Sequence, residues 1–420
     1  MNSIRRRLSP SSLRLLALAA LAGVFAGISS TLFLVLLDAA TSARKAQPGF
    51  LLALPAAGLL IGLVYHYFGG LAGRGHNLVL DEIPEPTKIV PARMAPFVLG
   101  GTLLTHLCGG SAGREGTAVQ MGAALADQLG FVFRLDVEER RSLLMAGAGA
   151  GFGAAIGAPV AGVVFGMEVI RAGRFRLRAF GECLVASGAA ALVSRLLHAP
   201  HTQYPAVGPV PFEWHLPILA GTVGILFGLT ARLFVAFEHG LEKIFQCLPY
   251  PPVRPLLGGI ALVALFYWEG SGRYCGLGIE TVQQALAVPV SGWDPPLKLG
   301  FTALTLAAGF KGGEFIPLVF IGATLGSVIA GVLGTSVPLF AALGFAAVFG
   351  AGANTPLACA VMAAELFGLP LFPYAAVACY AAYLVSGHPG IYRAQRREGR
   401  KHDRLLALFG AYDGARKAPP

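Results

Sequence analysis

Glycine and proline break most of the apolar runs in this chain before they are long enough to cross a bilayer. The first run, Leu15 to Ala40, is an exception. As a helix it spans a hydrocarbon core of ~30 Å, and it is too long for the apolar region of a cleaved signal peptide. A second run extends from about Gly49 to Phe68. The later runs lie near 96–108, 117–133, 142–170, 179–197, 216–238, 255–268, 298–310, 317–334, 338–353, 356–368 and 371–386, with unequal lengths. Non-helical backbone at membrane depth survives only where protein or a water-filled cavity covers it. Short, broken helices therefore predict an all-α polytopic membrane protein with a transport site near the midplane.

Composition supports this reading. Hydrophobic residues make up 55% of the 420 and charged residues only 13%, too few to coat a soluble surface. The apolar content excludes a disordered chain, and six cysteines in this length exclude a disulfide scaffold. Those cysteines (Cys108, Cys183, Cys247, Cys275, Cys359, Cys379) show no metal-ligand spacing, and they read as small core residues.

The net charge of +10 matters through its placement. Arg5, Arg6, Arg7 and Arg14 precede the first run. Arg393, Arg396, Arg397, Arg400, Lys401 and Arg404 follow the last, and Arg171, Arg174, Arg176 and Arg178 form a short basic loop. The positive-inside rule puts these clusters, and so both termini, in the cytoplasm, in preference to a nucleic-acid or lipid-headgroup role. The expected organisation is a basic N-terminus (1–14), a first membrane half (15–197), a Pro-rich extramembrane linker (198–217), a second membrane half (218–392) and a basic tail (393–420).

The two halves repeat each other. Gly113, Val119, Gly122, Ala123 and Leu125 recur 200 residues later as Gly313, Val319, Gly322, Ala323 and Leu325. Phe152-Gly153-Ala154, Pro159, Ala161, Val164 and Glu168 recur 197 residues later as Phe349-Gly350-Ala351, Pro356, Ala358, Val361 and Glu365. Inverted repeats are usual for such transporters, although the letters alone leave a parallel repeat open.

The segment Gly109-Gly110-Ser111-Ala112-Gly113-Arg114-Glu115-Gly116-Thr117 carries the sharpest signal. Its glycines let the backbone turn so that N–H groups converge at the start of a helix expected from Thr117 onward, which makes an anion site. Glu115 places a carboxylate where an anion would otherwise sit, competing when ionised and withdrawing when protonated. An intramembrane Glu is by default a functional residue. The repeat-related segment Gly312-Gly313-Glu314-Phe315-Ile316-Pro317 carries a second carboxylate, with Lys311 as its expected ion-pair partner.

A third break, Gly73-Arg74-Gly75-His76-Asn77, leaves two readings for Asn77: an amide donor to an anion, or a cap on the next helix. His76 lacks a second ligand at metal spacing, and no metal or cofactor is expected. His106 reads as a core histidine. Tyr392 reads more readily as an interfacial anchor than as a donor to an anion. Glu168 lies three residues before Arg171, which suggests an ion pair at the cytoplasmic rim.

Together these residues resemble the CLC family of chloride channels and anion–proton antiporters over about residues 60–395. The motif order matches: the Gly-x-Gly break, Gly-Arg-Glu-Gly, Gly313-x-Phe315-x-Pro317, then the late Tyr392. The resemblance implies two inverted-topology repeats whose broken helices meet at a midplane anion site. It further implies a homodimer with one pore per subunit, and Glu115 as gating glutamate. On it, Asn77, Gly113, Arg114, Gly116, Thr117, Gly313, Glu314, Phe315, Ile316 and Tyr392 line the anion path.

Three details resemble the bacterial CLC-type fluoride/proton antiporters. Thr117 stands where chloride-type members usually carry Pro, the first motif lacks their Ser, and Glu314 follows Gly-Gly. Val169 occupies the place of the inner glutamate of chloride exchangers, a residue the fluoride branch also lacks. Phe315 keeps the chloride-type residue, and Ile316 stands where the branch often has Thr. The resemblance thus implies an inner-membrane antiporter exporting fluoride against protons, with a chloride/proton exchanger or passive chloride channel as alternatives. An enzyme is disfavoured, because no Ser/His, Asp pair or His-Glu-x-x-His set stands out.

Overall fold

The computed structural model describes residues 10–171, 176–208, 213–396 and 401. Arg5, Arg6, Arg7, Arg174, Arg397, Arg400 and Arg404 lie outside the described residues, so the basic clusters are seen only in part. Among the described residues there are sixteen α-helices. In the first half these are α1 (Pro10–Ala46), α2 (Leu54–Val64), α3 (His76–Glu82), α4 (Met94–Leu107), α5 (Glu115–Val132), α6 (Val137–Ile156), α7 (Pro159–Glu168) and α8 (Phe180–Leu196). The second half contains α9 (His215–Gln246), α10 (Val253–Glu269), α11 (Ile279–Ala285), α12 (Asp294–Ala307), α13 (Phe315–Leu333), α14 (Val337–Ala353), α15 (Pro356–Phe367) and α16 (Phe372–Val385).

Each helix of the first half has its counterpart eight places later, and the packing repeats with it. α1 lies against α8 as α9 lies against α16, and α5 against α6 as α13 against α14. Small residues permit these approaches. A Cβ on Gly23 or Gly27 of α1 would come within 2.2 and 2.8 Å of the Ala186 and Ala190 carbonyl oxygens. A Cβ on Gly224 or Gly228 of α9 would come within 2.7 and 2.3 Å of those of Ala378 and Ala382. α6 and α14, rich in Gly and Ala, form the buried centre. Large apolar side chains such as Leu32, Val35, Ile218, Leu233 and Trp268 face outward, as lipid contact requires.

Sequence and structure differ at several boundaries. The run 142–170 splits into α6 and α7 because Gly157 adopts φ +83 and Pro159 opens a new helix. The second run ends in a wide π turn at Tyr65–Gly69 followed by a 3₁₀ turn at Gly70–Arg74. α3 and α11, seven residues each, were too short and polar to show in the apolar pattern. The segment after His198 is coil, and it folds back onto the protein through His201, Thr202 and Tyr204.

Glu168 makes no ion pair with Arg171. Its oxygens accept the N–H groups of Leu357 (3.1 Å) and Ala358 (2.7 Å), which open α15. Its counterpart Glu365 accepts those of Val160 (2.9 Å) and Ala161 (2.6 Å), which open α7. Each repeat thus caps the other's short helix, a reciprocity that follows from the pseudo-two-fold relation.

Candidate functional site

The N-termini of α5 and α13 meet on the pseudo-two-fold axis. Gly113 N–H donates to Gly313 O (2.6 Å), and Gly313 N–H donates to Gly113 O (2.8 Å). A Cβ on Gly113 would stand 2.8 Å from Gly313 O and 3.1 Å from Ile316 N, so no larger residue fits. Gly312, at φ +158, turns the chain into this contact.

The helix starts are where the donors lie. α5 begins at Glu115, two residues earlier than expected. The N–H groups of Thr117 and Ala118 turn back to Arg114 O (3.1 and 3.4 Å), and that of Leu318 to Glu314 O (3.0 Å). Pro317 has no N–H. Those of Glu115, Gly116, Phe315 and Ile316 find no backbone acceptor among the described residues. Two helix dipoles therefore converge from the two repeats, and the N–H groups of Gly116, Phe315 and Ile316 reach the meeting point without a backbone acceptor.

Glu115 is 1% exposed and is held by its neighbour. Arg114 Nε donates to Oε1 and Arg114 N–H to Oε2, both at 3.2 Å. Arg114 Nη2 also donates to Thr202 Oγ1 (3.0 Å), so the segment expected as a linker contributes to the site. Arg114 lines a cavity of about 760 Å³ with Arg44, Lys45, His201 and Arg273. Glu314 lines a different cavity of about 230 Å³ with His76, Asn77, Gln120, Glu238 and Tyr392. The Arg114 side chain and the Glu314 carboxylate thus line separate cavities.

Lys311 does not pair with Glu314. Its Nζ lies 4.2 Å from the centroid of the Tyr65 ring, and Glu314 makes no ion pair among the described residues. Both residues line the same cavity, but the Lys311 ammonium is taken up by the face of the Tyr65 ring. Asn77 lies inside α3 rather than at its cap, and its Oδ1 accepts Ala394 N–H (3.1 Å). Tyr392 is buried, 6% exposed, not placed at an interface. Its segment is held by Ile391 N–H to Gly352 O (2.9 Å) and by Gln395 Nε2 to Val169 O (2.8 Å).

Thr117 is committed through its hydroxyl, which lies 2.7 Å from that of Thr102. Phe315 and Ile316 are buried at 3% and 1%. The Phe315 ring packs edge-on against Phe349 (4.6 Å) and Phe152 (5.6 Å), the repeat-related pair. His106 sits in the core with its ring nitrogens 2.8 Å from Thr102 O and 3.0 Å from Ala112 O, steadying the glycine loop. Sequence reading overlooked Gln120, Thr202 and Glu238, and it gave His76 no role. The one signal available for Gln120 was its place one turn beyond Gly116 on the same helix face.

Comparison with known proteins agrees with this architecture. The profile of the voltage gated chloride channel family matches residues 57–387. A "Chloride/fluoride channel protein" of Pseudomonas syringae pv. tomato is 47% identical over 407 residues, covering 95% of this chain and 90% of the relative. A "H(+)/Cl(-) exchange transporter ClcA" of Vibrio campbellii is 26% identical, covering 96% and 93%. Among solved structures, a CLC-type fluoride/proton antiporter superposes with TM-score 0.89 at 34% identity, covering 93% of this chain and 100% of that one. A slow cyanobacterial Cl-/H+ antiporter, 21% identical, shares the fold with TM-score 0.78 over 90% and 95%.

Proposed function

Because the chain belongs to the voltage gated chloride channel (CLC) family, we propose that it is a secondary active transporter that exports fluoride from the cytoplasm in exchange for protons. The observation that carries this reading is the head-to-head meeting of α5 and α13, whose starts carry N–H groups without backbone acceptors and the carboxylates of Glu115 and Glu314. Fluoride is small and tightly hydrated, so dehydrating it requires close, preoriented donors. Gly116, Phe315 and Ile316 supply backbone N–H groups. Gly113, Gly313 and Thr117 fix their positions, and the Tyr392 hydroxyl and Asn77 amide complete the path.

Glu115 is the gate and the proton carrier. Ionised, it fills the outer anion position beside Arg114. Protonated, it yields that position, which couples anion movement to proton movement. Glu314 borders the inner side, where a neutral or averted carboxyl is compatible with an anion. Likeness to the fluoride/proton antiporter favours fluoride. Phe315 and Ile316 are the specific observation favouring the second reading, a chloride/proton exchanger.

The membrane orientation follows from charge. Arg14 reaches Phe133 O, Arg141 reaches Ile83 O, Arg176 reaches Glu138 and Arg396 reaches Glu85, so these basic residues share one face with both ends of the described chain. We assign that face to the cytoplasm and the chain to a bacterial inner membrane. The resemblance supports a homodimer.

Proteoliposomes loaded with fluoride or chloride test this reading. Fluoride efflux accompanied by proton uptake, with little chloride movement, supports it. Chloride efflux with protons at equal or greater rate replaces it with the second reading.

A further inference from the structure

The site contains one donor that neither its backbone nor its carboxylates account for. His76, the first residue of α3, lines the inner cavity with Glu314 and Tyr392, and its ring centroid lies 5.4 Å from that of Tyr392. Its Nε2 is buried and has no hydrogen-bond partner. Such an atom costs stability unless something satisfies it.

The surrounding bonds fix what that atom presents. Gln120 Nε2 lies 3.4 Å from Gly116 O, which can only accept, so the amide nitrogen is the group turned this way. The same nitrogen lies 3.0 Å from His76 Nδ1, which therefore accepts. In the neutral ring the proton is then assigned to Nε2. The ring edge bearing it points at Gly116: a Cβ there would stand 2.6 Å from Cε1 and 3.0 Å from Nε2. Gly116 N–H is one of the donors at the helix starts that have no backbone acceptor among the described residues.

We propose that His76 donates a hydrogen bond from Nε2 directly to the transported anion, and that Gln120 positions it by holding Nδ1 as an acceptor. This rests on the anion-transport reading of the same site. A small anion gains most, because its charge is concentrated and its contact with the donor is short. His76 is thus a selectivity residue, supplying a side-chain donor where Ile316 has none to offer.

The test compares the full-length wild type with His76→Leu, which fills similar space without a donor, and His76→Gln, which restores an N–H at similar reach. Fluoride and chloride binding are measured by calorimetry, and folding by monodispersity and thermal melting. Hydrogen bonds to charged partners are the stronger class, so fluoride binding is expected to weaken about tenfold or more in His76→Leu. Binding should remain close to wild type in His76→Gln, and chloride should change less than fluoride.

Unchanged fluoride affinity in a folded His76→Leu overturns the proposal, as does an equal loss in both variants. A second measurement uses the unsubstituted chain labelled with ¹⁵N-histidine. Fluoride titration should move one Nε2–H resonance, and a spectrum in which none moves overturns the proposal. If the wild type binds chloride and not fluoride, the fluoride reading fails, while the same variants read with chloride still decide the role of His76.

Discussion

At Gly113 and Gly313 two segments approach so closely that each backbone becomes the other's hydrogen-bond partner, and this sets the demands on every neighbouring residue. Gly113→Ala places a methyl 2.8 Å from Gly313 O. Overpacking of this kind costs about 1–3 kcal/mol, so the variant should melt at lower temperature in detergent and lose transport. Glu115→Gln keeps the shape of the proposed gate and removes its titration. Anion efflux from proteoliposomes should then continue with no change in internal pH, and proton-driven export surviving in this variant would remove the proposed mechanism. Much of this was legible in the letters, since Gly-Arg-Glu-Gly and its repeat announce two helix starts and two carboxylates. Side-chain partnerships were not. Lys311 and Glu314 are three apart and look paired, yet they border one cavity without an ion pair, and Lys311 finds the ring of Tyr65. His76 could be read only as an unsupported metal ligand, because its partners Gln120 and Gly116 are distant in sequence.

Among the elements, α7 and α15 show most clearly how the repeat stabilises itself. Both begin with proline, both end near a glutamate, and each glutamate caps the opposite helix. Glu168 is fully buried and Glu365 is exposed in the single chain, so removing Glu168 leaves the greater desolvated deficit. Loss of a cap costs about 0.5–2 kcal/mol. Thermal melting should therefore show Glu168→Ala near or above the top of that range and Glu365→Ala near its bottom. Glu168→Gln should keep proton coupling, and an uncoupled but folded Glu168→Gln would make this residue a proton station instead. The sequence hinted at the repeat through Pro159/Pro356 and Glu168/Glu365. It could not show the exchange of caps, because α7 ends at Glu168 and the proximity of Arg171 suggested a local pair. Likewise the glycines of α1 and α9 are visible as small residues four apart, while the alanines they meet lie more than 150 positions away.

For the whole molecule, charge placement predicts orientation. Cys247 is the only exposed cysteine among the described residues, just beyond α9, close to the Arg393–Glu242 pair that borders the inner cavity. A membrane-impermeant maleimide should label it from the cytoplasmic side alone, and labelling from outside would reverse the assignment. The two cavities then become the outer and inner approaches to one site, the outer lined by Arg44, Lys45, Arg114 and Arg273. This arrangement concentrates anions at the mouth while leaving carboxylates at the constriction. The short-run pattern already declared broken helices, because covered irregular backbone is what such runs require. The relation between the halves had to come from the structure, where equivalent glycines exchange hydrogen bonds across one axis.

The proposed transport cycle couples anion and proton movement through Glu115. Its most direct test uses purified protein in fluoride-loaded proteoliposomes with no imposed proton gradient, following external fluoride with an electrode and internal pH with a dye. Fluoride should leave while the interior acidifies, and the acidification should vanish in Glu115→Gln. Fluoride efflux at constant internal pH in the wild type would contradict this coupling, making the protein a channel with Glu115 as a gate alone.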